Sequence, residues 1–120
     1  SNPTSFAQVG GVAALNNPMD HLARWLEEFV RRRAYVTGRL AEIPGISCCN
    51  AKGAFYLFPN ISGTGLKSTE FCSQLLETQN VAAVPGVAFG ADDYFRLSYA
   101  TSMEQLEKGL DRIETFCKSR

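Results

Sequence analysis

The sequence has no surplus of charge of either sign, because 12 lysine and arginine side chains balance 12 aspartate and glutamate side chains over 120 residues. Proteins that bind nucleic acid or anionic membranes normally carry a basic surplus, and the longest run of one charge here is Arg31–Arg33. No apolar stretch approaches the ~20 residues that a membrane-spanning helix requires. The start of the chain also lacks the basic and apolar regions of a signal peptide. We therefore expect neither nucleic acid nor a membrane among its partners.

Histidine and paired cysteine motifs are also scarce. The single histidine, His21, is distant in sequence from the four cysteines, and no two cysteines have Cys-x-x-Cys spacing. This pattern does not support a zinc site or another metal site. The adjacent Cys48 and Cys49 are poorly suited to a disulfide with each other, because such a ring strains the backbone. We expect free thiols and a reducing, cytoplasmic location.

The apolar pattern predicts an α+β fold. Glycine, proline and asparagine divide the chain into segments whose apolar residues recur at helix or strand spacing. Their order is α, α, β, β, α, β, β, α, which predicts a two-layer sandwich of a small, mainly antiparallel sheet with helices on one face. Ser68 and Ser102 are expected to cap the third and fourth helices. The expected strands are Ile46–Cys49 and Gly53–Phe58, paired as a hairpin, and Val81–Val84 and Tyr94–Ala100.

The second helix is expected to be long, from about Met19 to Ala41. Glu27 and Glu28 each have an arginine four residues further on, and we expect both to form an ion pair with it. An apolar stripe predicts the buried face of this helix and consists of Leu22, Leu26, Phe29, Val36 and Leu40.

Arg96 lies in the middle of the last expected strand, between two apolar neighbours, Phe95 and Leu97, that should face the core. Its guanidinium should therefore lie on the opposite face of the sheet, where removing it from water is costly unless it meets an anion. A planar guanidinium matches a carboxylate through two parallel hydrogen bonds. Two interpretations follow: a binding site for a small carboxylate, or a surface arginine paired with Asp92, Asp93 or a nearby glutamate.

Two further segments are candidates for ligand contact. Gly53 and Ala54 place small residues at a strand start, where a ligand can approach closely, although the exit of a hairpin explains them as well. Val84–Gly90 contains a proline and two glycines before the Arg96 strand, and its composition fits a ligand-facing loop or a plain connection. It is not a phosphate-binding loop, because no Gly-Lys-Ser/Thr follows.

Three segments resemble class I aminotransferases in order and spacing. They are Gly-Ala-Phe-Tyr-Leu-Phe-Pro at 53–59, Val-Pro-Gly-Val-Ala-Phe-Gly at 84–90 and Phe-Arg-Leu-Ser-Tyr-Ala at 95–100. The opening Ser1-Asn2-Pro3 is similar to a segment that follows the cofactor-lysine region in these enzymes. The family consists of fold-type-I enzymes that depend on pyridoxal 5'-phosphate, and the chain most resembles its bacterial aspartate aminotransferase type over essentially its whole length.

The resemblance implies roles for particular residues. In this family the arginine of the Arg-Leu-Ser strand binds the α-carboxylate of the amino acid, which assigns that role to Arg96. Residues 1–18 would be an interface segment and helix leading from a large domain, and residues 19–120 would be the C-terminal small domain. Ser1 and Asn2 would lie at the subunit interface of a homodimer, close to the partner's active site. Further substrate contacts would come from Gly53, Ala54 and Phe55.

The chain also departs from the family pattern. The family's Schiff-base lysine precedes the Ser-Asn-Pro segment within Ser-x-x-Lys, and this pattern is not found here. We therefore expect no catalytic, cofactor-binding or metal-binding residue in this chain. We interpret it as the C-terminal part of an aspartate aminotransferase-like enzyme, acting on amino acids and 2-oxo acids, and expect it to be inactive alone. The alternative is a stand-alone α+β module for carboxylate binding or oligomerisation.

Overall fold

The computed structural model describes residues 2–119, which form four α-helices, three short β-strands and two 3₁₀ turns. The helices are α1 (Ser5–Asn16), α2 (Asp20–Glu42), α3 (Ser68–Gln79) and α4 (Met103–Lys118). The strands are β1 (Tyr56–Leu57), β2 (Val84–Pro85) and β3 (Phe95–Ser98), and the 3₁₀ turns are Ser62–Thr64 and Gly86–Phe89.

The three strands form one antiparallel sheet in the order β1-β3-β2. In this register Tyr56 lies opposite Ser98, and Val84 lies opposite Arg96. Side chains alternate between the two faces of a strand, so the completely buried Phe95 faces the helices while Arg96 lies on the other face. This arrangement confirms the α+β sandwich with helices on one face of the sheet.

The core lies between the sheet and helices α2, α3 and α4. Phe71 of α3 is at its centre, with its ring centroid 5.0 Å from that of Phe95 and 5.3 Å from that of Phe116. Complete burial of a side chain of this size contributes roughly 1.5–3 kcal/mol to stability. Arg39 fastens α2 to α4 at the edge of this core, because its guanidinium nitrogens lie 2.9 Å from Asp111 and 2.7 Å from Glu114.

Helix α1 and the first half of α2 lie outside the core. No residue of α1 is buried, and Leu15 is 86% exposed. The apolar stripe of α2 packs only from Phe29 onward, since Leu26 is 64% exposed and Leu22 is 37% exposed. The expectation that Leu22 and Leu26 belong to the buried face is therefore wrong for this chain by itself. Between residues 2 and 119, no helix combines the length and apolar character needed to cross a membrane.

The expected hairpin of 46–49 with 53–58 does not form. Ser47 instead pairs with Asn60 through two backbone hydrogen bonds of 3.0 and 2.7 Å. The backbones of Gly45 and Gly63 approach so closely that a Cβ on Gly63 would lie 2.8 Å from the Cα of Gly45. This contact brings the chain after Pro59, rather than β1, beside residues 46–49.

The two expected serine caps have different outcomes. Ser102 caps α4 as expected, because its Oγ accepts a hydrogen bond from the backbone N–H of Gln105 at 3.3 Å. Ser68 is not a cap but the first residue of α3. Its backbone N–H donates to Asp92, which is 24 residues further along the chain, so the acceptor comes from another part of the fold.

Candidate functional site

Arg96 occupies the centre of the open sheet face, and two aromatic rings contact its guanidinium. The Cζ atom lies 4.4 Å from the ring centroid of Tyr56 on the neighbouring strand β1. It also lies 5.0 Å from the ring centroid of Phe89 in the second 3₁₀ turn. Both distances are in the range of cation–π attraction, which contributes about 0.5–2 kcal/mol per pair. The rings thus hold the cation in place without neutralising its charge.

The two aspartates that could have paired with Arg96 are engaged elsewhere. Asp93 forms an ion pair with Lys67, with 2.7 Å between Nζ and Oδ1. Asp92 accepts a hydrogen bond from the Ser68 hydroxyl at 2.7 Å. Among residues 2–119, Arg96 has no carboxylate partner, so its N–H donors remain available to a ligand or to water. The structure therefore does not form the surface ion pair considered above.

Arg96 borders an open cavity of about 410 Å³, which we call the Arg96 cavity. This volume lies within the ~300–1,000 Å³ that small-molecule sites usually occupy. Arg96 and Tyr56 also border a smaller depression of about 170 Å³, beside Ser98 and residues 82–84. The walls of the Arg96 cavity are mostly apolar and come from Cys49, Ala51, Tyr56, Leu57, Phe58 and Phe89.

The position of Phe89 depends on the turn that follows β2. The N–H of Val87 donates to the hydroxyl oxygen of Ser68 at 3.1 Å, which ties this turn to the start of α3. Gly86 has no room for a side chain, because a Cβ there would lie 2.2 Å from the carbonyl oxygen of Ala91 and 2.3 Å from that of Tyr94. Glycine is therefore required at position 86 for the close backbone approach in the turn that presents Phe89 to Arg96.

Gly53 and Ala54 do not line the Arg96 cavity. They border a separate cavity of about 150 Å³, together with Phe29, Arg33 and Lys52. Ala54 has a φ of +57°, a left-handed conformation that residues with a Cβ rarely adopt. The Tyr99 hydroxyl donates to the Ala54 carbonyl at 2.7 Å and fixes this turn.

In the sequence, Phe55 lies between Ala54, which borders the cavity beside Gly53, and Tyr56, which lines the Arg96 cavity. Its side chain is partly exposed. Its ring centroid is 4.5 Å from that of Tyr56, which lines the Arg96 cavity. Asn2 is exposed at the start of the described chain, and Ser1 lies outside the described residues. The structure thus brings Phe55 near Arg96 through Tyr56, whereas Asn2 belongs to the region of α1.

None of the lysines lines the Arg96 cavity. Lys67 and Lys118 form surface ion pairs with Asp93 and Glu114, and Lys52 borders the cavity beside Gly53. Within residues 2–119, no group of histidine, cysteine and acidic side chains is arranged to hold a metal ion. Among the described residues, the site therefore consists of an open cavity with one cation, Arg96, and mostly apolar walls that include three aromatic rings.

Of the residues that line the cavity, only Arg96 was predicted as a site residue from the sequence; the six others are Cys49, Ala51, Tyr56, Leu57, Phe58 and Phe89. The aromatic-rich segment 53–58 was visible, but its relation to Arg96 depends on strand register. Phe89 lies in a turn, where no periodicity indicates the direction of a side chain. The only sequence signal for it was the position of the Pro-Gly turn directly before the Arg96 strand.

The helix-backed antiparallel sheet is a fold shared with solved aminotransferase structures. The family model "Aminotransferase class I and II" matches residues 1–113, and the chain belongs to this family. It is 47% identical over 121 residues to an aspartate aminotransferase of Bacillus subtilis, covering 97% of this chain and 31% of that protein.

The solved structures agree with the fold. The aspartate aminotransferase of Rhizobium meliloti superposes with a TM-score of 0.92 at 42% identity, over 98% of this chain and 32% of that one. An alanine aminotransferase of Pyrococcus furiosus gives 0.93 at 38% identity, over 98% of this chain and 31% of that one. The chain therefore spans about a third of the length of the relatives it matches.

Proposed function

We propose that this chain supplies the carboxylate-binding part of an aminotransferase that moves an amino group between an amino acid and a 2-oxo acid. The observation that carries the proposal is Arg96, a cation with no carboxylate partner among residues 2–119, beside a cavity of about 410 Å³. Family membership supplies the class of reaction. Relatives named aspartate aminotransferase favour an aspartate-like amino acid as one substrate.

Arg96 acts in this proposal by binding and orienting the substrate. Its guanidinium donates two parallel hydrogen bonds to the α-carboxylate, a pairing that is stronger than one between neutral groups. Contacts with Tyr56 and Phe89 limit the rotation of the side chain and so fix the direction of those donors. A fixed carboxylate places the rest of the amino acid at a defined position, which lowers the entropic cost of reaction. Arg96 transfers no proton in this scheme.

The residues of this chain do not fit pyridoxal 5'-phosphate, the cofactor that the family implies. Attachment of that cofactor needs a lysine at the substrate site, and no lysine among residues 2–119 lines the Arg96 cavity. We therefore propose that the cofactor site and the proton-transferring groups belong to the remaining two thirds of the longer enzyme. The 120-residue chain alone should neither retain the cofactor nor transaminate.

The other expected site residues keep supporting roles in the proposal. Phe55 is proposed to contact the substrate, because its partly exposed ring packs on Tyr56, which lines the Arg96 cavity. Gly53 and Ala54 shape the turn that leads to it. Ser1 and Asn2 are assigned to a homodimer interface, and the exposed apolar side chains of α1 support an interface role for residues 1–18. Residues 19–120 are then the C-terminal small domain of a cytoplasmic enzyme.

The direct test is Arg96→Ala in the longest protein that contains this sequence. Loss of a charged hydrogen-bonding partner costs roughly 1.5–3 kcal/mol. Half-saturating concentrations of amino acid and 2-oxo acid should therefore rise about 10- to 100-fold. Arg112→Ala is the matched control, because Arg112 lies on α4 away from the cavity. Unchanged half-saturation for both substrates would contradict the proposal.

The intact mass of the native gene product separates the proposed function from the alternative of a stand-alone carboxylate-binding module. The intact mass of the native gene product should be several times 13.2 kDa if the chain is part of an aminotransferase. A native product of 13.2 kDa would favour the module.

The expected inactivity of the 120-residue chain alone is tested by incubation with pyridoxal 5'-phosphate and borohydride. This treatment should give no stoichiometric adduct, and such an adduct would overturn the claim that this part is inactive alone.

A further inference from the structure

We infer that the adjacent Cys48 and Cys49 form a dithiol site for trivalent arsenicals that carry one carbon substituent, such as an aryl group. The inference does not rest on the proposed function, because neither thiol has an assigned role in binding the amino acid or the 2-oxo acid. It adds a ligand class and a covalent chemistry to a segment that the proposed reaction does not use.

Both cysteines border the same cavity, which has a volume of about 370 Å³ and is also lined by Ser47 and Asn60. Residues 48–50 belong to no strand, so the alternation that sends adjacent side chains to opposite faces of a sheet does not apply to them. The Cys48 thiol donates a hydrogen bond to the backbone carbonyl of Cys49 at 3.4 Å. A ligand that enters this cavity therefore meets both residues.

The pair is better suited to a bridge through one inserted atom than to a direct disulfide. A disulfide between adjacent residues closes a small ring that strains the backbone. An arsenic atom bonded to both sulfurs makes this ring one atom larger and keeps the two sulfurs further apart, which relieves that strain. Cys48 and Cys49 are both free thiols in the structure, and this is the form that the arsenical requires.

The number of available ligands favours an organic arsenical over a metal ion. A structural zinc site uses four protein ligands. Within residues 2–119, no group of three histidine, cysteine or acidic side chains is arranged to hold a metal ion. Trivalent arsenic forms three bonds, and carbon supplies one of them in a monosubstituted arsenical. Two thiols therefore complete its coordination, and sulfur is the donor that soft centres of this kind prefer.

An aromatic surface lies beside the two thiols. Phe58 and Tyr94 both line the cavity, and their rings stack with 5.0 Å between centroids and an interplanar angle of 8°. A ligand ring can pack on such a pair in offset or edge-on geometry, and this contact adds attraction beyond the burial of apolar area. An aryl group on arsenic therefore matches the walls of this cavity, and phenylarsine oxide is the probe that carries one.

The reaction with phenylarsine oxide is a condensation without oxidation. The arsenic–oxygen bond and two S–H bonds break, two arsenic–sulfur bonds form, and both protons leave with the oxygen as one water molecule. Arsenic stays trivalent, so no oxidant or reductant is consumed. Burial raises the pKa of the Cys48 thiol, and the neighbouring Cys49 thiol adds to this effect. The exposed Cys49 should therefore react first, and Cys48 should then close the ring.

The test is mass spectrometry of the longest protein that contains this sequence, after treatment with one equivalent of phenylarsine oxide. Peptide mapping should place one phenylarsenic group on the peptide that contains residues 48 and 49. The adduct should survive excess 2-mercaptoethanol, a monothiol, and should be removed by the dithiol 2,3-dimercaptopropanol. In Cys48→Ser or Cys49→Ser, the adduct retained after the monothiol wash should fall at least ~10-fold, because the second bond no longer forms within one chain.

Cys72→Ala is the matched control, because Cys72 is buried in the core, does not line this cavity and should leave the adduct unchanged. Circular dichroism of each variant separates lost binding from lost folding, and Cys48→Ala is a second variant that adds no hydroxyl to this half-buried position. Full retention of the adduct in a folded single variant at either position would overturn the inference, because one thiol would then be enough. Release of the wild-type adduct by 2-mercaptoethanol, or no adduct on residues 48–49, would overturn it as well.

Discussion

The hydroxyl of Ser68 donates a hydrogen bond of 2.7 Å to the carboxylate of Asp92, which lies 24 residues away in the chain. Ser68 is completely buried, and the same hydroxyl oxygen accepts from the N–H of Val87 at 3.1 Å. The pair thus joins the start of α3, the approach to β3 and the turn that carries Phe89. The geometry around Arg96 depends on this connection although neither residue lines its cavity.

Replacement of Ser68 by alanine should lower the free energy of unfolding by about 1–3 kcal/mol, because it leaves the Val87 N–H without its acceptor. In the longest protein that contains this sequence, it should also raise the half-saturating concentrations of amino acid and 2-oxo acid, since the turn bearing Phe89 loses its anchor. Urea denaturation and steady-state kinetics measure the two effects. Ser73→Ala on the exposed side of α3 is the matched control and should change neither. Equal stability of the Ser68 and Ser73 variants would show that the buried bond contributes nothing.

Two glycine-to-alanine substitutions should shift stability in opposite directions. Gly86→Ala places a methyl group against two backbone carbonyls at 2.2 and 2.3 Å, and overpacking of this kind costs at least about 1–3 kcal/mol. Gly109→Ala lies within α4 with nothing within 4 Å of the new Cβ. Alanine is a better helix former than glycine by about 1 kcal/mol, so this variant should be stabilised. Thermal unfolding of both proteins gives the comparison, and a neutral Gly86→Ala would contradict the described turn.

Glu28 should support the fold of α2 only while it is ionised. It accepts hydrogen bonds from Arg31 and Arg32, which lower the pKa of this carboxyl from 4.5 to about 2, with Arg31 the larger cause. Because the pKa is lower in the folded state, the contribution is present above pH 4.5 and is lost as the pH falls toward about 2.

The measurement for Glu28 is the urea midpoint across that acidic range in wild type and Glu28→Gln. The difference between the two proteins should be largest above pH 4.5 and should disappear near pH 2. Glu27→Gln is the control, because Glu27 is exposed on the same helix turn. Arg31, which was expected to pair with Glu27, forms its ion pair with Glu28, as Arg32 does. A Glu28→Gln curve parallel to wild type at every pH would refute the coupling.

The four cysteines should differ in reactivity. Cys49 is exposed at the Arg96 cavity, whereas burial raises the pKa of the Cys72 thiol to about 11 and also raises that of Cys48. A thiolate is the reactive form, so iodoacetamide near pH 8 should alkylate Cys49 first. Peptide mass spectrometry after short exposure identifies the site, and Cys49→Ser should remove the fast phase. Faster modification of Cys72 would contradict the described burial.

Features that depend on nearby residues were predictable from the sequence. Helix α4 follows from apolar residues at spacings of three and four and from Ser102 with the backbone of Gln105. Strand alternation around the core residue Phe95 also predicted correctly that Arg96 lies on the opposite face of the sheet. These signals need only a few consecutive residues, and the fold does not override them.

Features that depend on distant contacts were not predictable. The pairing of Ser47 with Asn60 replaces the expected hairpin because Gly45 and Gly63 approach each other, and no local pattern records that contact. Likewise, the backbone N–H of Ser68 at the start of α3 donates to Asp92, which is distant in sequence, so the local pattern that predicted a Ser68 cap was misleading. The aromatic contacts of Arg96 need strand register and the course of a turn, both of which the tertiary structure sets.

Helix α1 and the first turns of α2 are exposed, so their local stability should be lower than that of the packed core. A 12-residue helix without buried contacts is marginal in water, so the amides of α1 should exchange with solvent at little free-energy cost. The amides of β3 and α4 should exchange only when the whole core opens, because Phe95 and Ile113 are completely buried. Melting of the amino-terminal helix can therefore leave the geometry around Arg96 unchanged.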